Sequence, residues 1–345
     1  MSALVLLLLA ATEAGATGGL DLDAVAAAVK DREQALENFS VTATIDHIFS
    51  LPSDRGAAKH TQWHIALIMD SRGRYRIDGT SKTINEGAAA QPPALKQTEV
   101  FDGERRRQAM GEGRLTNGRI GEASTPFILP FTPSDLVWTF NGERDSAYLI
   151  EGGSLAAEAE FDGRSVLAFE GKVSEGVDGR FRKVQFLVDS NRGFAVVRKA
   201  MLVQEALDAD WRANGVVELT SMHEVAEGLW VPRKALFEQY RLPKNGPATI
   251  LSRSRVELDG WLVNAALDDT TFKWSFPPGV AVDDEISGRT YMSSQVDDDT
   301  IKQQLGGVSR LRAGNLSVWA WVAGAVVIAM VSIVGIMRRR TKPRG

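Results

Sequence analysis

Apolar and polar residues alternate in "FSVTATIDHIF": Phe39, Val41, Ala43 and Ile45 fall on one side of an extended chain, and Ser40, Thr42, Thr44 and Asp46 on the other. This predicts a strand with one buried face. The same period runs through "HTQWHIALIMD", where Trp63, Ile65, Leu67 and Met69 share a face, and "RYRIDGTS" follows after a short turn at Arg72 and Gly73. Ahead of them the period differs. In "LDLDAVAAAVKDREQALENF", Leu22, Val25, Ala26, Val29 and Leu36 recur at helical spacing, with Asp21 or Asp23 placed to cap a helix. Further strand-like runs are "QTEVFDGERRRQAM", "YLIEGG", "LAAEAEFDGRSVLAFEGKV", "GRFRKVQFLVDSNRGFAVVRKAMLVQEA", "NGVVELTSMHEV", "LWVPRKALFEQYR" and "ATILSRSRVEL". Glycine-containing turns separate most of them, among them Asp102-Gly103, Asp162-Gly163, Asp178-Gly179 and Asn191-Arg192-Gly193, while "NEGAAAQPPALK" reads as a polar loop. About ten or more strands joined by tight turns predict one large twisted meander or open barrel, not βαβ units.

One apolar stretch breaks the pattern. "STPFILPFTPSDLVWTFNG" contains Pro126, Pro130 and Pro133, which exclude a central strand. Pro133 followed by Ser134 and Asp135 predicts a short helix through Leu136 to Phe140. Such an insert against a curling sheet either lines or covers a pocket between the two layers, or fills the core.

The ends of the chain change the picture of where this sheet works. Leu316 to Met337 is uncharged over about 22 residues, which at ~1.5 Å each span about 33 Å. That matches a bilayer core of ~30 Å. Trp319 and Trp321 lie near its upstream end, and Arg338, Arg339, Arg340, Lys342 and Arg344 follow it, as expected of an interfacial aromatic belt and a cytoplasmic flank. At the other end "MSALVLLLLAATEAGATGG" carries a leucine-rich run and a small-x-small site at Ala14-Gly15-Ala16, suited to cleavage of a signal peptide before Thr17. The expected organisation is a signal peptide at 1–16, an exported domain at 17–286, a polar linker at 287–315, a single transmembrane helix at 316–337 and a basic cytoplasmic tail at 338–345.

Composition agrees with export. The chain has no cysteine, and a domain of this length buries enough surface without disulfides. Forty-four acidic against forty basic residues give a net charge of −4, and five of the basic residues are in the tail, so nucleic acid is not an expected partner.

Catalytic and metal-binding patterns fail on inspection. His223-Glu224 has Glu227 where a zinc protease needs a second histidine. His60 and His64 lie four apart on strand-like sequence, roughly 13 Å along one face, too far for one metal. "GGSLA" around Ser154 lacks the second glycine of a nucleophile elbow and has strand-like sequence on both sides, so Ser154 reads as a turn serine. "GEGRLTNG" lacks the glycine and Lys-Ser/Thr positions of nucleotide loops. Asp283-Asp284-Glu285 and Asp297-Asp298-Asp299 lack the spacing of a calcium loop and read as solvated charge. No enzyme, cofactor or metal is expected.

The order of elements carries a family resemblance. An amphipathic helix leads into "ENFSVTATI", "EVFDGERRRQAM" sits mid-chain, a late strand begins "EGLWVPRKALFEQY", and the domain closes on "DDTTFKWSFPPGVAVDD". This resembles the LolA/LolB/RseB-like superfamily of bacterial envelope proteins over about residues 20 to 285. The resemblance implies a mainly β (α+β) fold: a large twisted antiparallel sheet forming an unclosed β-barrel, with helices across its concave face and an apolar cavity. It also implies a ligand, a lipid, lipoprotein acyl chain or other amphiphile. Candidate wall or lid residues are Trp63, Ile65, Leu67 and Met69 on one strand and Phe127, Leu129, Phe131, Leu136 and Trp138 in the insert; ordinary core is the competing role for each.

Unlike a soluble carrier, this chain is expected to stay in one membrane, since it has a predicted anchor and no cysteine to acylate. The expectation is a single-pass protein of the bacterial inner membrane with its domain in the periplasm, binding an amphiphile. The alternative is an RseB-like sensor or scaffold that binds a membrane protein partner.

Overall fold

The computed structural model describes residues 22–50, 58–85, 90–122, 129–140, 143–151, 153–176, 178–206, 209–243 and 246–294. The predicted signal peptide, transmembrane helix and tail, with Trp319, Trp321, Arg338, Arg339 and Arg340, lie outside the described residues, as does Phe127. Among the described residues no helix is long and apolar enough to cross a membrane.

The first helix, α1 (Leu22–Ala35), buries Val25, Ala26 and Val29 at the predicted spacing. Six strands follow as consecutive hairpins: β1 (Asn38–Phe49), β2 (Lys59–Asp70), β3 (Tyr75–Ile84), β4 (Leu95–Phe101), β5 (Arg106–Glu112) and β6 (Asn117–Gly121). The insert then forms a 3-10 turn at Pro133–Leu136, a two-residue hairpin of β7 (Thr139–Phe140) with β8 (Glu143–Arg144), and α2 (Asp145–Ile150). After it come β9 (Ser154–Phe161), β10 (Arg164–Glu170), β11 (Ser174–Glu175), β12 (Phe181–Asp189), β13 (Ala195–Gln204) and β14 (Arg212–Thr220). The last strands are β15 (His223–Ala226), β16 (Leu229–Val231), β17 (Lys234–Arg241), β18 (Thr249–Val263), β19 (Ala281–Asp284) and β20 (Arg289–Met292).

One large sheet takes in most of these strands. From one edge its order is β9, β10, β12, β13, β14, β17, β18, β1, then β2 to β6, then β19 and β20, with β11 beside β12. The edge strands β9 and β20 do not pair with one another, so the sheet is unclosed. The two halves are joined at β1, which pairs with β2 on one side and β18 on the other: Ile45 stands opposite both Trp63 and Val256. A period of two therefore propagates across three strands, and the inward positions Phe39, Val41, Ala43, Ile45, Ile65, Leu67, Val256 and Leu258 form a continuous core.

Turn chemistry explains the hairpins. Asp162 and Gly163 both have positive φ, 51° and 71°, the twist that a two-residue link between β9 and β10 requires. Gly193 ends the turn between β12 and β13 at φ 59°, and a Cβ there would stand 2.0 Å from the Gly228 carbonyl oxygen, so only glycine lets that turn approach the tip of the β15–β16 hairpin.

The structure corrects several sequence expectations. The sheet is not a single antiparallel meander, because β19 returns to pair in parallel with β6, Val282 opposite Gly118. A parallel pair needs a long crossover. Here all the chain between β6 and β19 intervenes, and the link that follows β18 is tethered where Arg74 meets Asp269 at 3.2 Å. A second small core of Ala109, Ile120, Phe276, Val280 and Val282 forms there. "YLIEGG" is not a strand but the end of α2 and its exit; three consecutive apolar residues cannot fix a period. The Ser146 N–H and hydroxyl both donate to the Glu33 carboxylate, at 2.9 and 2.6 Å, and anchor the start of that helix. Ser154 is the first residue of β9, opposite Glu170, rather than a turn serine. "NGVVELTSMHEV" and "LWVPRKALFEQYR" each split in two: Ser221, at φ 51°, ends one strand, Pro232 interrupts the other, and β15 and β16 form a separate two-stranded sheet.

The helix predicted through Phe140 stops at Leu136. Lys199 Nζ, fully buried, takes the Asp135 and Thr139 carbonyls at 2.9 and 2.7 Å and the Asp145 carboxylate at 2.7 Å. A carbonyl committed to a buried ammonium holds the insert against β13 instead of propagating a helix.

By compactness the described residues fall into two units. The first runs to Phe276 and resumes at Val280–Met292. The second takes Pro277–Gly279 with Ser293 and Ser294; there the Gly279 N–H donates to the Ser293 carbonyl at 2.9 Å, and the Ser293 hydroxyl donates to the Pro277 carbonyl. Strand β20 falls inside the stretch read from sequence as linker.

Candidate functional site

The inner face of the sheet is covered unevenly. At one end of β1, Phe39 packs between Trp138 and Trp261, with ring centroids 5.3 and 5.2 Å away. The Trp138 indole donates to the Leu36 carbonyl at 3.1 Å, and the Trp261 indole to the Pro232 carbonyl at 2.9 Å. Arg32 of α1 reaches the Val137 and Trp230 carbonyls at 3.1 and 2.8 Å, and burial pulls its pKa below the ordinary guanidinium value. Further along the insert, Phe131 stacks on Phe237 of β17 at 4.1 Å. This part is closed core.

Toward the other end of the same strands the described part of the cover reaches Leu129 and Pro130. Here β1 presents His47 and Phe49 and β2 presents Lys59, Thr61 and Trp63, and with Leu129 and Pro130 they line an open groove of about 280 Å³. Strand register accounts for the grouping: His47 lies opposite Thr61, Phe49 opposite Lys59, and Ile45 opposite Trp63, all on the inward parity of their strands. Among the described residues the groove continues the core stripe beyond its cover.

Its chemistry is amphipathic. Trp63, Phe49, Leu129 and Pro130 supply apolar wall, and the His47 ring meets Trp63 at 5.8 Å, edge to face. His47 Nδ1 shares a hydrogen bond of 2.8 Å with Ser254 Oγ on β18. Burial lowers the His47 pKa, outweighing the opposing pull of Asp46, with smaller contributions in the lowering direction from His60 and Lys59, so the ring is neutral at pH 7. Asp46 itself stands on the outward parity and pairs with His60. Lys59 is exposed and is the one lysine, and there is no arginine or carboxylate, among the described groove residues. Ser254 is almost wholly buried and its hydroxyl is engaged by His47, so the pair offers no accessible nucleophile.

Of the nine residues put forward as cavity wall or lid, eight are described, and all are buried. Trp63 and Leu129 line the groove; Ile65, Leu67, Met69, Phe131, Leu136 and Trp138 sit in the packed core. Sequence reasoning missed His47, Phe49, Lys59, Thr61 and Pro130. The parity of the strands could have found the first four, because they continue the apolar stripes of β1 and β2 by steps of two. The other motif residues are placed apart: His64 Nδ1 shares a 3.2 Å hydrogen bond with Thr44 on the outward face, and His223 and Glu224 lie in the small β15–β16 sheet.

No family model matches the chain, and no curated protein matches it in sequence. Among solved structures, it is similar in fold to a LolA superfamily protein from Nitrosomonas europaea, at 11% identity over 74% of this chain and 99% of the other, with a TM-score of 0.41. A putative outer membrane lipoprotein-sorting protein domain from Vibrio parahaemolyticus aligns at 10% identity over 73% and 97% of the two chains, TM-score 0.41. A DUF1329 family protein from Desulfovibrio piger aligns at 14% identity over 73% and 97%, TM-score 0.40.

Proposed function

We propose that this chain is a non-enzymatic binding protein of the bacterial envelope, anchored in the inner membrane by residues 316–337, which takes the hydrocarbon chain of a lipid, lipoprotein or other amphiphile into the groove between β1, β2 and the insert. The observation that carries the reading is the groove itself: an inward-facing apolar stripe, covered elsewhere by tryptophan and phenylalanine, is left open beside Trp63, Phe49 and Leu129. Its volume of about 280 Å³ suits one extended chain segment more than a whole multi-chain lipid. The anchor, the periplasmic placement and the signal peptide rest on the terminal sequences.

Native mass spectrometry of the full chain in nanodiscs, released in the gas phase, tests the proposal. The expected result is retained lipid adducts that Leu129→Asp removes without loss of fold by circular dichroism. Adducts of equal abundance in both proteins would refute it.

A further inference from the structure

We infer that the groove selects a single-chain amphiphile with an anionic head, a carboxylate or a phosphate monoester, and that Lys59 with His47 is the headgroup site. This rests on the proposed binding function and adds to it the charge of the ligand.

Charge is distributed unevenly along the groove. Apolar wall comes from Trp63, Phe49, Leu129 and Pro130, and the polar groups lie on the β1–β2 register pairs His47–Thr61 and Phe49–Lys59. Among the described lining residues there is no carboxylate, and the nearby acid Asp46 is on the opposite parity and bound to His60. A cationic head would therefore meet Lys59 with no compensating charge, and a neutral head would leave the ammonium where it is. An anionic head would gain a charge-assisted hydrogen bond from Lys59 and from the Thr61 hydroxyl. Among the described residues Lys59 has no salt-bridge partner. Its position at the start of β2, opposite Phe49, puts the charge at the exposed end of the apolar wall, where the head of an inserted chain would emerge.

His47 makes the same site sensitive to pH. One ring nitrogen is held by Ser254, and the ring lines the groove. Among the described residues the ionisable groups around it are Asp46 on its own strand and His60 and Lys59 on β2; β18 faces it with Ser254, and Leu129 and Pro130 bring none. A bound anion supplies the negative charge that burial has left unbalanced, so it favours the imidazolium. Binding then takes up a proton, and affinity for an anion rises as pH falls below neutral.

Photo-crosslinking of the full chain in zwitterionic nanodiscs tests the inference, using decyl chains that carry a diazirine and end in carboxylate, phosphate, sulfonate, hydroxyl or trimethylammonium. Labelling is read as crosslinked β1 and β2 peptides, relative to Lys59→Glu with the same probe, so that partition into the bilayer cancels. The expected result is about tenfold weaker labelling by the carboxylate or phosphate probe in Lys59→Glu, with the alcohol changed by less than about twofold. The stronger of the two anionic arms tells fatty acid from phosphate head. The sulfonate, whose charge does not titrate, should label more strongly at pH 6 than at pH 8, and His47→Gln should abolish that difference. Equal labelling by alcohol and anions, insensitive to Lys59→Glu, overturns the headgroup site and leaves the groove function standing. Labelling led by the trimethylammonium probe overturns it as well. No groove labelling by any probe overturns both.

Discussion

Two ends of one strand face opposite fates. At Phe39, β1 lies under Trp138 and Trp261 and is fully buried; eight residues on, at His47, the same inward face opens into a groove. The strand is continuous and its alternation unbroken. The difference is supplied from outside the strand, by α1 and an insert whose described part reaches from Trp138 past Phe131 to Leu129. An apolar stripe on a sheet becomes core where a second layer covers it, and forms a groove beyond the described part of that layer.

That contrast can be broken most severely at the lock that holds the insert. Lys199→Met should cost about 3–5 kcal/mol, because it strands the buried Asp145 carboxylate and frees two carbonyls, and Lys199→Met with Asp145→Leu should recover most of the loss. Urea denaturation of the three proteins measures this; a single variant as stable as the parent would show the pair does not hold the insert. Trp138→Ala should cost a similar ~3–5 kcal/mol through a cavity in the covered half.

Trp63→Ala is the counterpart in the uncovered half. Its loss should be smaller, about 1–2 kcal/mol, since the groove already gives the site one open side, while groove labelling by any decyl probe should fall about tenfold. Equal destabilisation by Trp63→Ala and Trp138→Ala would mean that the two halves are not different environments.

The smallest effect is the pH dependence of folding. With the folded-state pKa of His47 held below its ordinary 6.5, the unfolded chain binds more protons in that window. Stability is therefore complete above about pH 6.5 and is lost as pH falls through the folded value, by at most about 1.4 kcal/mol per unit. His223 is shifted in the same direction, so the readout is the difference between parent and His47→Gln, which should lack part of the acid-side loss.

Most strands were legible in the sequence because burial on one face imposes a period of two, and Asp-Gly pairs mark their turns. Segments with little period were read less well. "YLIEGG" is too short to distinguish strand from helix, and the helix predicted through Phe140 ignored a lysine some sixty residues downstream that takes the carbonyls. The groove was half legible: the apolar pattern marks Trp63 and Leu129, but the polar end of the same stripe, His47, Thr61 and Lys59, carries no apolar signal and is joined to it only by strand parity and register.

By itself the sequence determined the sidedness of each strand, the hairpin turns and the break at the three prolines, since these follow from local sterics and from the pattern of residues a few positions apart. It also determined the uncharged C-terminal stretch and its basic flank. Only the tertiary structure decided that β1 joins β18, that β19 runs parallel to β6, and which inward residues are core and which are groove. Those outcomes depend on contacts between residues tens to hundreds of positions apart, whose matching surfaces exist only once the sheet has formed.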